Sequence, residues 1–304
     1  MIPISDENPL RHKPWLTLSI IAICTLIYLV IQPVGRNTFN LTDPRVATED
    51  LQFSLDWATV PCEITHGRSL TKAEADATFG GNGFNGSACE IQGNQQLLNP
   101  DKPIYLGLLF SMFLHGSLAH LFGNMLFLWV FGNNIEDSRG RIRFAMLYLF
   151  GGILSDLAHI LVDPNSTVPV VGASGAIAAV MGAYLALYPR MRIKVVTPWM
   201  GLRKVSASWV LGLWIASQFL IMSENSGVAW GAHVGGFVVG VLWGLAWRAA
   251  DRRARAKTVM PSHPNVEGSA LGPVRSPIAG PPMFGSPEAN AGLATISPWQ
   301  PPSR

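Results

Sequence analysis

The sequence predicts an all-α, polytopic membrane protein with six transmembrane helices, and three observations carry that prediction. Apolar residues make up 49% of the chain and charged residues only 13%, against roughly 25% charged in a soluble protein. Six apolar runs approach the roughly 17–25 residues that cross a bilayer as a helix. The basic residues alternate between successive loops. A net charge of +3 is too small to argue for nucleic acid as a partner; the lipid bilayer is the partner the composition points to.

The first span runs from Trp15 to Ile31 after a short N-terminal segment, residues 1–14. It ends at Gln32-Pro33 with no small-residue cleavage site, so it reads as a helix that stays rather than a removed signal. The second covers Leu118–Phe131. Ile104–Leu114 before it is also apolar, but His115-Gly116-Ser117 interrupts the run, which predicts an interfacial or re-entrant piece ahead of the helix. Spans three to six are expected at Phe144–Leu161, Val168–Leu187, Val205–Met222 and Val228–Trp247. Of 22 Lys and Arg, the N-terminus, the loops after spans two and four and the C-terminal segment hold all but five, and those five lie in the long segment 33–103. Short basic loops stay inside. The expectation is a multi-pass protein of the plasma membrane, both termini cytoplasmic and segment 33–103 outside.

That external segment is too long for a simple connection and is expected to be partly folded or a functional insertion. Its Cys62 and Cys89 face an oxidising side on this topology, and the sequence leaves a disulfide or two free thiols open. The membrane domain is expected over 15–247. Residues 248–304 begin basic and become rich in Pro, Gly and Ser, a composition that cannot bury enough surface to offset its ordering entropy, so a disordered tail is expected.

Four polar residues sit within the apolar runs: His120, Asn124, Ser174 and His233. Such groups are costly in a bilayer and mark function by default. At 1.5 Å per residue, all four fall about 3–10 Å from the outer starts of spans two, four and six. A serine and a histidine at one level point to a nucleophile and its general base. Gly175, Ala179 and Ala183 on span four, and Gly236, Gly240 and Gly244 on span six, are small residues at four-residue spacing, which lets helix backbones approach closely. His120 and Asn124, at i and i+4, share one face and can donate to an oxyanion, as can the Ser174 amide. A plain helix–helix contact remains open for Asn124, and a structural hydrogen bond is the reading for His115. Asp156 and His159 are expected to be solvated or locally paired, with Asp156 as third member of a triad the lesser reading.

His115 through Asn124, then Gly172-Ala173-Ser174-Gly175, then Ala232-His233 before Gly235-Gly236, resemble the rhomboid intramembrane serine proteases of the bacterial, six-helix type. The resemblance covers about residues 104–247. It implies a rhomboid-like bundle and a Ser–His dyad with no acid, metal or cofactor. Ser174 would be the nucleophile, His233 the base, and His120, Asn124 and the Ser174 amide the oxyanion hole. His115, Gly172, Gly175, Gly236 and Gly240 would support them, and Glu136 and Arg139 resemble the family's structural Glu-x-x-Arg element. Substrates would be transmembrane proteins, entering past span five as a mobile wall. That span carries Trp209, Trp214 and Phe219, expected to pack on Phe127 and Phe131, and no residue of the constellation. Ala178 stands where family members often pack an aromatic on the histidine, so support for His233 is expected from a larger residue on span six. An inactive rhomboid-like chaperone or trafficking protein is the alternative. A transporter would need polar residues continuing towards the inner half.

Overall fold

The computed structural model describes residues 2–36, 44–80, 87–197, 201–220 and 229–259. The tail beyond 259, Gly81 to Gly83, Met222 and Val228 lie outside the described residues. Six apolar helices stand where the sequence places six spans: α1 (Trp15–Ile31), α2 (Leu118–Arg139), α3 (Arg141–Val162), α4 (Ser174–Leu187), α5 (Ala207–Leu220) and α6 (Trp230–Val259). Of these, α3 and the stretch Trp230–Lys257 of α6 are by themselves long and apolar enough to cross a membrane. Ile104–Phe113 and α2 qualify only as a pair, bent by 77°. The others are shorter apolar helices.

The bend has a local cause. Leu114 is extended (ψ 149°), and Ser117 caps α2 by accepting a hydrogen bond from the His120 amide at 3.1 Å, the usual role of serine at a helix start. Glu136, at the far end of α2, accepts from the amides of Leu16 and Thr17 at 2.9 and 2.7 Å. It thereby caps the start of α1. Arg139 pairs with Asp251 at 2.8 Å and lies over the Trp247 ring. The Glu-x-x-Arg element thus ties α2 to α1 and α6.

The core is a cluster of side chains from all six helices around the nearly fully buried α4. Here α4 and α6 touch through backbone. A Cβ built on Gly236, Gly240 or Gly244 would fall under 3.0 Å from the carbonyl oxygen of Gly175, Ala179 or Ala183 respectively. Small residues at this spacing are what such an approach requires.

One element goes beyond the all-α expectation. β1 (Ile2–Asp6), β2 (Arg192–Thr197) and β3 (Gly201–Ser206) form an antiparallel sheet in the order β1-β2-β3, with Asp6 opposite Ile193 and Arg192 opposite Ser206. Alternation in Arg192-Ile193-Lys194-Val195 is its signal: Ile193 and Val195 are buried while Arg192 is exposed. Tyr184 of α4 donates to Asp6 at 2.7 Å, and Lys204 pairs with Glu7. The N-terminal segment and the basic loop between α4 and α5 are therefore one structure.

The long first loop is folded. Helices Pro44–Trp57, Pro61–His66 and Lys72–Phe79 surround a second small core of Leu55, Val60, Cys62 and Leu70. Cys62 and Cys89 are disulfide-bonded, Cα atoms 5.9 Å apart. Lys102 donates to the Glu63 carboxylate at 2.5 Å and to the Ala58 carbonyl. Burial pushes the Glu74 carboxyl up, but Arg68 and the amides of Thr71 and Glu90 outweigh it and hold the group at about 2. This segment grips the loop that leads into α4. The Cys62 amide donates to Ser166 O, the Val170 amide to Thr59 O, and Thr78 bonds Thr167 between hydroxyls.

Candidate active site

Ser174 is the first residue of α4, one position after Ala173. The sequence expectation put the helix start at Val168 and Ser174 a turn and a half inside it. The run 168–173 is instead an irregular loop, bridged to Thr59 at Val170 and tied down, with the Gly172 amide donating to Ser111 O at 2.9 Å. Gly172 has φ +128°, a conformation open to glycine, and a Cβ there would sit 2.7 Å from His120 Cε1. Apolar composition alone could not separate a buried loop from a helix. The correction matters chemically: first-turn N–H groups have no acceptor within the helix and carry the positive end of its dipole.

His233 is the fourth residue of α6, and its Nε2 lies 2.8 Å from Ser174 Oγ. Both line a cavity of about 250 Å³ together with His120, Asn124, Met181 and Trp214. Asn124 is 7% exposed and its Nδ2 has no hydrogen-bond partner among the described residues. A buried unpaired amide donor is costly, and here it borders the cavity beside the serine. Ser174, His233, His120 and Asn124 therefore come together in one place. Of the supporting positions, Gly175 and Gly236 meet at the α4–α6 contact, Gly240 lies one turn deeper, and Gly172 gives way to His120. His115 is fully buried beside the His120 ring, 5.4 Å between centroids, and its backbone exchanges two hydrogen bonds with the Gln32 side chain.

Four expectations fail. The support for His233 comes from α5, not α6: the Trp214 ring centroid is 5.8 Å from that of His233. On α5, too, Gln218 is 5% exposed, and its Oε1 lies 2.6 Å from His233 Nδ1. Helix α5 thus contributes to the constellation, against the sequence reading, because an uncharged glutamine in an apolar run carries no motif and its relevance depends on the α5–α6 contact. Asp156 is buried, not solvated, and its carboxylate meets the Thr59 hydroxyl at 3.4 Å on the external segment. Nor does the aromatic seal form as expected. Trp209 and Phe219 are 67% and 56% exposed, while Phe131 is buried against Tyr184, so those two α5 rings lie on the outer surface of the bundle.

A rhomboid domain matches residues 103–250. The chain is 31% identical over 159 residues to "Rhomboid protein 1, mitochondrial" of Saccharomyces cerevisiae, covering 48% of this chain and 43% of that protein. It is 29% identical over 163 residues to "Presenilin-associated rhomboid-like protein A, mitochondrial" of Danio rerio, covering 50% and 42%. It is 28% identical over 173 residues to "Rhomboid-like protein 11, chloroplastic" of Arabidopsis thaliana, covering 52% and 58%. The chain thus spans about two fifths to three fifths of the length of these curated relatives.

These relatives overturn the plasma-membrane expectation and the bacterial-type label with it, since they are proteins of mitochondria and chloroplasts. Apolar spans and basic loops record which side of a bilayer a loop takes; they do not record which bilayer. Residues 103–250 hold every member of the cluster around Ser174, and they form a rhomboid domain.

Proposed function

We propose that this chain is an intramembrane serine endopeptidase that cuts membrane-anchored proteins near the bilayer face opposite the basic loops. The observation that carries the reading is the 2.8 Å approach of Ser174 Oγ to His233 Nε2 beside a cavity bordered by an unpaired Asn124 amide. Ser174 attacks the scissile carbonyl while His233 Nε2 takes the hydroxyl proton. The oxyanion forms within reach of Asn124 Nδ2, His120 and the Ser174 amide, and preorganised donors of this kind contribute about 3–4 kcal/mol each to the transition state. His233 returns the proton to the leaving amine, and water then hydrolyses the acyl-enzyme. A regular helix hides its carbonyls in i to i+4 bonds, so the substrate must unwind locally. Bonds near Gly or Pro, which lose roughly 1 and 3 kcal/mol of helix preference, are the favoured targets.

Ser174→Ala and His233→Ala should each abolish cleavage of a transmembrane substrate while leaving abundance and thermal stability unchanged. Asn124→Ala should slow turnover by roughly 10²–10³ without ending it. A fluorophosphonate probe should label wild type on Ser174. Turnover by either dyad variant near the wild-type rate, or a folded wild type that takes no label, returns the chain to the alternative of an inactive rhomboid-like membrane chaperone.

A further inference from the structure

Gln218 is the group whose place the dyad alone does not explain. It sits on α5, fifteen residues before His233, and closes a small network. Ser217 Oγ donates to the Trp214 carbonyl at 2.6 Å. With its proton committed there, that hydroxyl has only lone pairs to offer. Gln218 Nε2 lies 3.2 Å from the same carbonyl and 3.2 Å from Ser217 Oγ. Both partners accept, so the nitrogen, which donates, must be the amide atom that faces them. Oε1 is left facing His233 Nδ1 at 2.6 Å. A carboxamide oxygen only accepts, so Nδ1 carries the proton. Nε2 then holds the lone pair, and that lone pair is the one directed at Ser174 Oγ, 2.8 Å away.

We infer that Gln218 is a positioning residue that locks His233 in the Nδ1–H tautomer and holds its Nε2 lone pair on Ser174. It does for this dyad what an acid does in a Ser-His-Asp triad in fixing tautomer and orientation, but with a neutral oxygen that adds no charge to an apolar site. A buried carboxylate here would need its own compensation, and the nearest acid of α3, Asp156, is engaged with Thr59 instead. Because Gln218 and Trp214 both ride on α5, the acceptor and the ring packed on the imidazole are present together only while α5 is seated against α6. The inference rests on the Ser174–His233 reading.

The test compares full-length Gln218→Met, which keeps the shape and removes the acceptor, with Gln218→Glu, which keeps an acceptor oxygen. Both are set against wild type in the same detergent. Gln218→Met should lower kcat roughly 10–100-fold, a part of the roughly 10²–10⁴-fold that a positioned general base contributes, with KM within about twofold. It should slow fluorophosphonate labelling of Ser174 by the same factor. Gln218→Glu should recover most of the loss. In ¹⁵N-histidine spectra of protein carrying Ser174→Ala, His233 should be in the Nδ1–H form, and Gln218→Met should mix the tautomers. A Met variant with wild-type kcat overturns the lock, as do Met and Glu variants equally slow, since the loss is then one of packing. If Gln218→Met does not fold, a folded but inactive Gln218→Glu overturns it. Wild type that takes no label on Ser174 removes the dyad and the lock together, whereas wild type and Gln218→Met labelling equally fast removes the lock alone.

Discussion

On the flank of α6 that faces α4, glycines bring backbone against backbone; on the flank that faces α5, contact runs through side chains. Gly236 and Gly240 leave no room for a single added carbon against the carbonyls of Gly175 and Ala179. Trp214, by contrast, reaches across to His233 and Phe237 with ring centroids 5.8 and 6.0 Å apart, and Gln218 reaches across to His233. The two flanks divide the work on the imidazole. The rigid one sets the distance between the backbones that carry Ser174 and His233. The looser one sets which way the ring faces and which nitrogen is protonated.

The comparison breaks first at the rigid flank. Gly240→Leu should leave little folded protein, because a Cβ there would overlap the Ala179 carbonyl and backbone cannot step aside. The cost should exceed the roughly 1–3 kcal/mol that an overpacked core absorbs. Size-exclusion and thermal melts in detergent check it, and a monodisperse variant with wild-type melting would mean the α4–α6 contact has slack.

Trp214→Ala comes next. It should stay folded and lose roughly tenfold or more in kcat, as a general base loses its aim, with a lower melting temperature from the vacated ring volume. With span five acting as a mobile wall alone, a smaller side chain at 214 would instead maintain or raise cleavage, at some cost in thermal stability. Unchanged kcat would show that the ring acts as wall and not as support.

Phe219→Ala should have the smallest effect. The side chain is 56% exposed on the described surface and touches none of the cluster, so turnover should stay within about twofold of wild type or rise, with melting little changed, as for surface substitutions generally. Loss of all activity in a folded Phe219→Ala protein would place the site's support further along α5 than Trp214 and Gln218.

Much of this molecule is written in local pattern. The six apolar runs, the break at His115-Gly116-Ser117, the glycine stripe of α6 and the motifs around Ser174 and His233 each follow from composition or spacing along one segment. Hydrophobic burial and close backbone approach act through periodicity, and periodicity is visible in one dimension. The alternation Arg192-Ile193-Lys194-Val195 belongs to the same class. A basic loop between two spans nonetheless reads as solvated, and the pairing partner β1 lies nearly 190 residues away.

Where segments distant in sequence touch is set by the three-dimensional fold. The true start of α4 at Ser174 depends on Thr59 and Ser111 holding the loop before it. The burial of Asp156 depends on the folded external segment. Gln218 is chemically unremarked in its own helix, and only the seating of α5 on α6 turns its carbonyl oxygen to His233. The linear chain shows which side chains are costly in a bilayer, and therefore which ones carry function. It could not determine which neutral polar group answers which nitrogen, because one hydrogen bond depends on a few tenths of an ångström between helices and leaves no period in the chain.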